Sequence, residues 1–155
     1  YLETSHKPRY CFGYGLSYGE FVYSDMKIPK PEVKPDELIT VSCQVMNVSN
    51  ADATEIVQCY ISDRFASRTR PVKELVGFMR VLIPAGEQRA VTFFIEPSQT
   101  AFLDKDMRWK IEKGQFDVML GKSSDEICFS KTVQVTEDAW IDGKRRAFYA
   151  RTEVR

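Results

Sequence analysis

At 155 residues the chain is long enough for one domain with attachments, and a chain of that size buries roughly 68 to 70% of its unfolded surface. With 22 basic and 22 acidic residues and a pI near 6.8, it lacks the surplus of a nucleic-acid binder, which shows a domain pI above about 9 or a clustered basic face; Lys144-Arg145-Arg146 reads as a solvated tail. No apolar run approaches the roughly 18 residues of a membrane span and no signal-peptide pattern is visible, and a first residue of Tyr1 rather than Met reads as an excised or processed piece of a longer polypeptide.

The first element is not a strand. Arg9 to Tyr18 packs four aromatic rings and two glycines into ten residues, and such a run is expected to press against a surface, because aromatic rings bury large areas and glycine permits close approach. Phe21 to Ile28 then reads as a strand, ended by Pro29, Pro31 and Pro35, which cannot donate to a central ladder; a Lys/Pro linker follows. Leu38 to Val48 alternates, with Val41, Cys43 and Val45 on one face and Thr40, Ser42 and Gln44 on the other, which predicts a strand with one buried face. Glu55 to Ser62 alternates again around Val57, Cys59 and Ile61. The intervening Asn47 to Asp52 supplies turn residues, so a hairpin is expected.

Asp63 to Arg70 is polar, with three arginines, and leads into a long strand from Leu75 to Ile83. The turn Pro84-Ala85-Gly86-Glu87 predicts a second hairpin, with the strand Gln88 to Ile95. Pro97 to Asp106 has no clear period and reads as a crossing between sheets with one turn of helix. Trp109 to Ile111, Phe116 to Leu120 and Ile127 to Val135 complete the strands, separated by turns at Gly114 and at Gly121 to Asp125. About seven short strands with turn signals every eight to twelve residues, and no amphipathic helix, predict an all-β sandwich of immunoglobulin or fibronectin type III architecture. For residues 136–155, with Trp140, Phe148 and Tyr149 among charges, two states stay open: a strap on a neighbouring surface, or disorder.

Little in the chain resembles chemistry. Cys11, Cys43, Cys59 and Cys128 lack zinc or redox spacing, and Cys43 and Cys59 fall in the inward phase of their strands, as free buried thiols would; that reading points towards a non-oxidising compartment, and the sequence does not otherwise set the localisation. Gly15-Leu16-Ser17-Tyr18-Gly19 fits a nucleophile elbow in pattern only: a strand-like stretch follows where a helix is required, and the single histidine, His6, lies upstream instead of downstream. Gly13-x-Gly15 lacks a preceding strand and puts Tyr18 where a dinucleotide fingerprint needs a small residue. One histidine leaves no transition-metal site, and His6 reads as a surface residue. Asp104 with Asp106, and Glu112 with Asp117, are acid pairs by proximity alone. Asn47-Val48-Ser49 meets the glycosylation pattern, a triplet common by chance. No catalytic residue, cofactor or metal ligand is assigned.

Five stretches carry a collective signal: Tyr10-Cys11-Phe12-Gly13-Tyr14-Gly15-Leu16-Ser17-Tyr18; Glu55 to Ile61; Arg70-Pro71-Val72-Lys73-Glu74-Leu75-Val76-Gly77-Phe78; the Pro84 to Glu87 turn; and Gly114 to Ile127. In this order and spacing they resemble the C-terminal fibronectin type III-like domain of glycoside hydrolase family 3, the β-glucosidase and β-xylosidase family. The resemblance spans about residues 7–135. Cys11 departs from a common Pro, Asn50-Ala51-Asp52 replaces a glycine-bearing turn, and the tail beyond Val135 lies outside the pattern.

The resemblance implies a division into a lead-in (1–19), a sandwich (20–135) and a tail (136–155). It implies a parent enzyme that is a retaining, exo-acting β-glucosidase-type glycosidase, whose nucleophile and acid/base lie in other domains and match no residue here. This chain would then be a non-catalytic accessory domain that stabilises and docks the catalytic domains, with Tyr10, Phe12, Tyr14, Leu16 and Tyr18 as the seam. Its partners would be those domains, with neither nucleic acid nor membrane involved, and direct sugar binding is not expected. The alternative is an independent carbohydrate- or protein-binding module built on Trp109, Trp140 or Phe65.

Overall fold

The computed structural model describes residues 8–65, 67 and 71–155; His6 and the two arginines Arg68 and Arg70 of the polar loop lie outside the described residues. In chain order the strands are β1 (Phe21–Lys27), β2 (Glu32–Val33), β3 (Ile39–Asn47), β4 (Ala53–Asp63), β5 (Glu74–Ile83), β6 (Gln88–Ile95), β7 (Phe102–Leu103), β8 (Trp109–Ile111), β9 (Gly114–Gly121), β10 (Ile127–Val135), β11 (Ala139–Ile141) and β12 (Arg151–Val154). Seven of them, β1, β3, β4, β5, β6, β9 and β10, have seven or more residues, which matches the number expected from the turn spacing. One sheet runs β1-β3-β6-β12, a second β2-β10-β9-β4-β5, and a small third β11-β8-β7.

The period-two alternation decides the core. Ile39, Val41, Cys43 and Val45 from β3 and Val91, Phe93 and Ile95 from β6 are buried, as are Val57, Cys59 and Ile61 from β4 and Phe116, Val118 and Leu120 from β9. Two inner faces of such residues exclude water from each other, which is the driving force of a sandwich.

Both expected hairpins are corrected. β3 pairs with β1 and β6, whereas β4 pairs with β5 and β9; likewise β5 and β6 belong to different sheets. Each turn therefore arches from one sheet to the other. Alternation tells which face a strand buries and is silent on which strand takes its ladder, so a hairpin and an arch are written in the same residues. The two arches are laced together through Asn47: its buried side-chain amide donates to the carbonyls of Ala51 and Ile83, both at 2.9 Å. Its backbone meets Glu87 and Gly86 of the other arch. That burial and bonding leave the Asn47 amide unavailable as a glycosylation acceptor.

Two further stretches gain definition. The Lys/Pro linker holds β2, where the buried Val33 pairs in parallel with Val135 of β10; two residues are too few to show a period. The crossing after β6 contains a single 3-10 turn, Pro97–Thr100. The C-terminal segment straps onto the sandwich: β11 pairs with β8, and β12 extends the first sheet beside β6.

Candidate functional site: the lead-in strip on β4

The described part of the lead-in, residues 8–19, crosses the outer face of β4 without strand pairing, and its anchors are mostly to backbone. Ser124 donates its backbone N–H to the Phe12 carbonyl at 2.9 Å. Gln58 Nε2 donates to the Gly13 carbonyl, also at 2.9 Å, and to that of Lys122. The Tyr60 hydroxyl donates to Gln58 Oε1 and faces the Phe12 carbonyl at 3.5 Å. Farther along, Ser17 Oγ donates to the Thr54 carbonyl at 3.3 Å and accepts from the Gly19 N–H. Cys11 Sγ donates to Ser123 Oγ at 3.2 Å.

β4 carries these anchors because residues two apart share a face. Gln58 and Tyr60 point away from the core that Val57, Cys59 and Ile61 fill. Both are nevertheless buried, and Tyr60, 1% exposed, lies outside the main core cluster. Burial pushes the Tyr60 hydroxyl up to about 12, so it stays a neutral donor. Gly13 has φ +78°, and a Cβ there would meet the Gln58 side chain and come 2.7 Å from the Tyr60 oxygen. Glycine is required on both counts.

With the backbone tethered, the side chains face outward. Phe12 is 66% exposed and Leu16 90%; Tyr10, Tyr14 and Tyr18 are exposed as well. Tyr10 and Tyr14 touch each other, their ring centroids 5.2 Å apart. The strip borders a groove of about 730 Å³ lined by Phe12, Tyr60, Val72, Leu75 and Tyr149. A second, more polar cleft of about 460 Å³ lies under Tyr14 to Gly19, with Glu55, Gln58, Arg80 and Glu126 on its wall. Burial raises the Glu55 carboxyl above the ordinary carboxylate range, against a lowering by the Ile56 N–H that it accepts.

All five sequence-expected residues, Tyr10, Phe12, Tyr14, Leu16 and Tyr18, thus fall on one strip. Sequence reasoning missed the neighbouring outer face of β5, where Phe78 and Leu82 are 55% and 61% exposed. The signal was present: they occupy the phase opposite to Val81 and Ile83 in a strand read as simply long and apolar.

The motifs discounted from sequence find other employment. Ser17 lies in a coil that holds Gly19 and Thr54. Asp104 is pulled below the usual carboxylate range by the backbone N–H of Arg108 and then by the Trp140 indole, which donates to it at 2.9 Å. Asp117 accepts from Arg64 and Thr132, both at 2.8 Å, and Glu112 from Lys110 at 3.3 Å. Those carboxylates are engaged in structural contacts. Cys43 and Cys59 are buried free thiols, Cys43 pushed up to about 12 by burial, whereas Cys128 is exposed and Cys11 half-buried. Among the possible sugar platforms, Trp109 packs on the core beneath the Arg146 guanidinium, 5.0 Å from its ring, while Trp140 is half-exposed with Arg108 at 5.4 Å. Phe65 is exposed at a loop.

Sandwich, arches and strip together define a β-sandwich of the fibronectin type III-like class, and a family model described as "Fibronectin type III-like domain" matches residues 55–124. The relatives make the assignment narrower. The chain is 38% identical over 143 residues to a thermostable beta-glucosidase B of Acetivibrio thermocellus, covering 91% of this chain and 19% of that one. It is 35% identical over 127 residues to a periplasmic beta-glucosidase of Salmonella typhimurium, covering 82% and 17%. The crystal structure of a Listeria innocua beta-glucosidase in complex with glucose superposes with a TM-score of 0.81 at 34% identity, over 88% of this chain and 19% of that chain. The chain belongs to the fibronectin type III-like domains of glycoside hydrolase family 3, and it spans about a fifth of the length of the curated relatives it matches.

Proposed function

We propose that this chain is the non-catalytic, C-terminal accessory sandwich of a β-glucosidase-type exo-glycosidase, and that it stabilises and docks the catalytic domains. The supporting observation is the lead-in strip. Its backbone is tethered to Gln58, Tyr60 and Ser124 while Tyr10, Phe12, Tyr14, Leu16 and Tyr18 present apolar area to the outside. A contiguous exposed apolar strip on a soluble fold marks an interaction surface. On this reading residues 1–19 are the link to the catalytic body, 20–135 the sandwich and 136–155 its tail.

The 155-residue chain alone is expected to be folded and silent towards aryl β-glycosides; hydrolysis that persists through removal of Ser17 and contaminant controls would sink the assignment. In the full polypeptide, replacing Phe12 and Tyr18 together by Ser lowers the melting temperature and speeds proteolytic release of the sandwich. The half-exposed Trp140, beside Arg108 and Asp104, favours a second reading as a carbohydrate-binding module. A saturable change in Trp fluorescence on titration with cello- or xylo-oligosaccharides would select it.

A further inference from the structure

The outer face of β5 carries more apolar surface than an exposed strand needs. Alternation sends Val81 and Ile83 into the core and leaves Phe78, Arg80 and Leu82 outside. A water-facing strand face usually carries polar residues; here two of three are large and apolar, and Ile56, opposite Arg80 on β4, is exposed beside them. The patch is continuous with the strip, because Leu16, Tyr18, Arg80 and Leu82 line one cleft of about 340 Å³.

Arg64, Arg89, Arg108 and Arg151 each have a carboxylate partner within 4 Å; Arg80, like Arg9, Arg145 and Arg146, has none among the described residues, and it is the one placed between the exposed Phe78 and Leu82 of a strand face. An arginine flanked by exposed apolar side chains on its own strand, at the edge of the polar cleft that holds Glu55 and Glu126, and without a close ion-pair partner, is the composition of an interface centre.

We propose that this face is a second docking surface, covered by the catalytic body of the same polypeptide, which presents a carboxylate to Arg80. The inference rests on the accessory-domain reading above. The occupant follows from the matched relatives, in which this region is 16 to 19% of the length. The remaining four-fifths is tethered to the domain, at an effective concentration on the order of millimolar for a short linker. The lead-in runs along the same face.

The test uses the full polypeptide with Arg80→Glu and Leu82→Ser combined, read by limited proteolysis and thermal melting, beside the Phe12 and Tyr18 variant. Both altered side chains are exposed, so the 155-residue chain carrying the pair should melt like the unaltered chain. In the full polypeptide the pair should speed release of the sandwich about tenfold, with Arg80→Lys alone restoring part of the loss. If the pair behaves as the unaltered enzyme while the strip variant is released faster, the β5 face is free surface and this inference falls alone. If neither variant changes release, the accessory-domain reading falls with it. Sedimentation of the 155-residue chain covers the remaining occupant: dimerisation abolished by Arg80→Glu would assign the face to a second copy and overturn the proposal.

Discussion

Residues 8–19 and residues 136–155 both flank the sandwich and both carry aromatic side chains, yet they are held by different physics. The C-terminal segment is held by ladders. β11 pairs with β8 and β12 with β6, Arg155 and Ala90 exchange two backbone bonds, and Ala150 donates to Val76 at 2.7 Å. Arg146 adds donations to the carbonyls of Gln99 and Ala101 while its guanidinium covers Trp109. The lead-in has no ladder, only a few isolated tethers, from the side chains of Gln58 and Tyr60 and the backbone N–H of Ser124. A ladder commits the backbone and directs alternate side chains into the protein, so Ala150 and Val154 pack on the core. Tethers to carbonyls commit the backbone alone and leave the side chains outside.

Truncation after Arg146 tests the first half of that contrast and carries the largest expected effect. It removes β12, leaves the β6 edge unpaired and strips the Val76 carbonyl of one of its two donors, with the Gln99 side-chain amide remaining, at a cost of about 3 kcal/mol or more. Chemical denaturation should show the loss in the global transition. A result within about 0.5 kcal/mol would mean that the strap is dispensable.

Gln58→Ala probes the other half. It removes the donor to the Gly13 and Lys122 carbonyls and the acceptor of the buried Tyr60 hydroxyl, for a loss of about 2 kcal/mol. Hydrogen exchange should localise the change: faster exchange at Ser124, whose N–H meets Phe12, with the β3 and β6 amides still protected. Equal loosening of the β6 amides would make the strip part of the core.

The smallest effect is expected from Glu55→Gln in the cleft beneath the strip. The folded carboxyl titrates above its unfolded value because of burial. Its stabilising contribution is therefore complete below the ordinary carboxylate range, and is lost as pH rises through the raised folded value. Gln keeps the acceptor for the Ile56 N–H without the charge. The variant should melt slightly higher than the parent chain at pH 7, and the gap should close on acidification to about pH 4. A lower melting temperature at pH 7 would show that Lys122 outweighs the burial.

Much of this architecture was legible in the residues. Alternation around Val41, Cys43 and Val45, and around Val57, Cys59 and Ile61, identified the core faces, because a strand's side chains point to opposite sides whatever its partners are. Partnership was not legible. Asn47 to Asp52 and Pro84 to Glu87 have the composition of hairpin turns, and only the three-dimensional packing decides that they arch between sheets, since both sheets bury an identical pattern. Val33 escaped notice because two residues have no period, and the tail because its pairing strand, β6, lies more than fifty residues away in the chain.

The candidate site divides in the same way. That Tyr10, Phe12, Tyr14, Leu16 and Tyr18 form a unit was written in local composition, as was the need for glycine between them. Their outward direction was decided by tertiary structure: Gln58 and Tyr60, brought up by β4, capture the carbonyls of Phe12 and Gly13 and so turn the aromatic side chains away from the core. The outward phase of Phe78, Arg80 and Leu82 was present in the sequence, but that their face adjoins the strip was decided only once β5 was placed beside β4. Composition can say that a segment is apolar, but which atoms are left for a partner depends on the bonds the fold has already made.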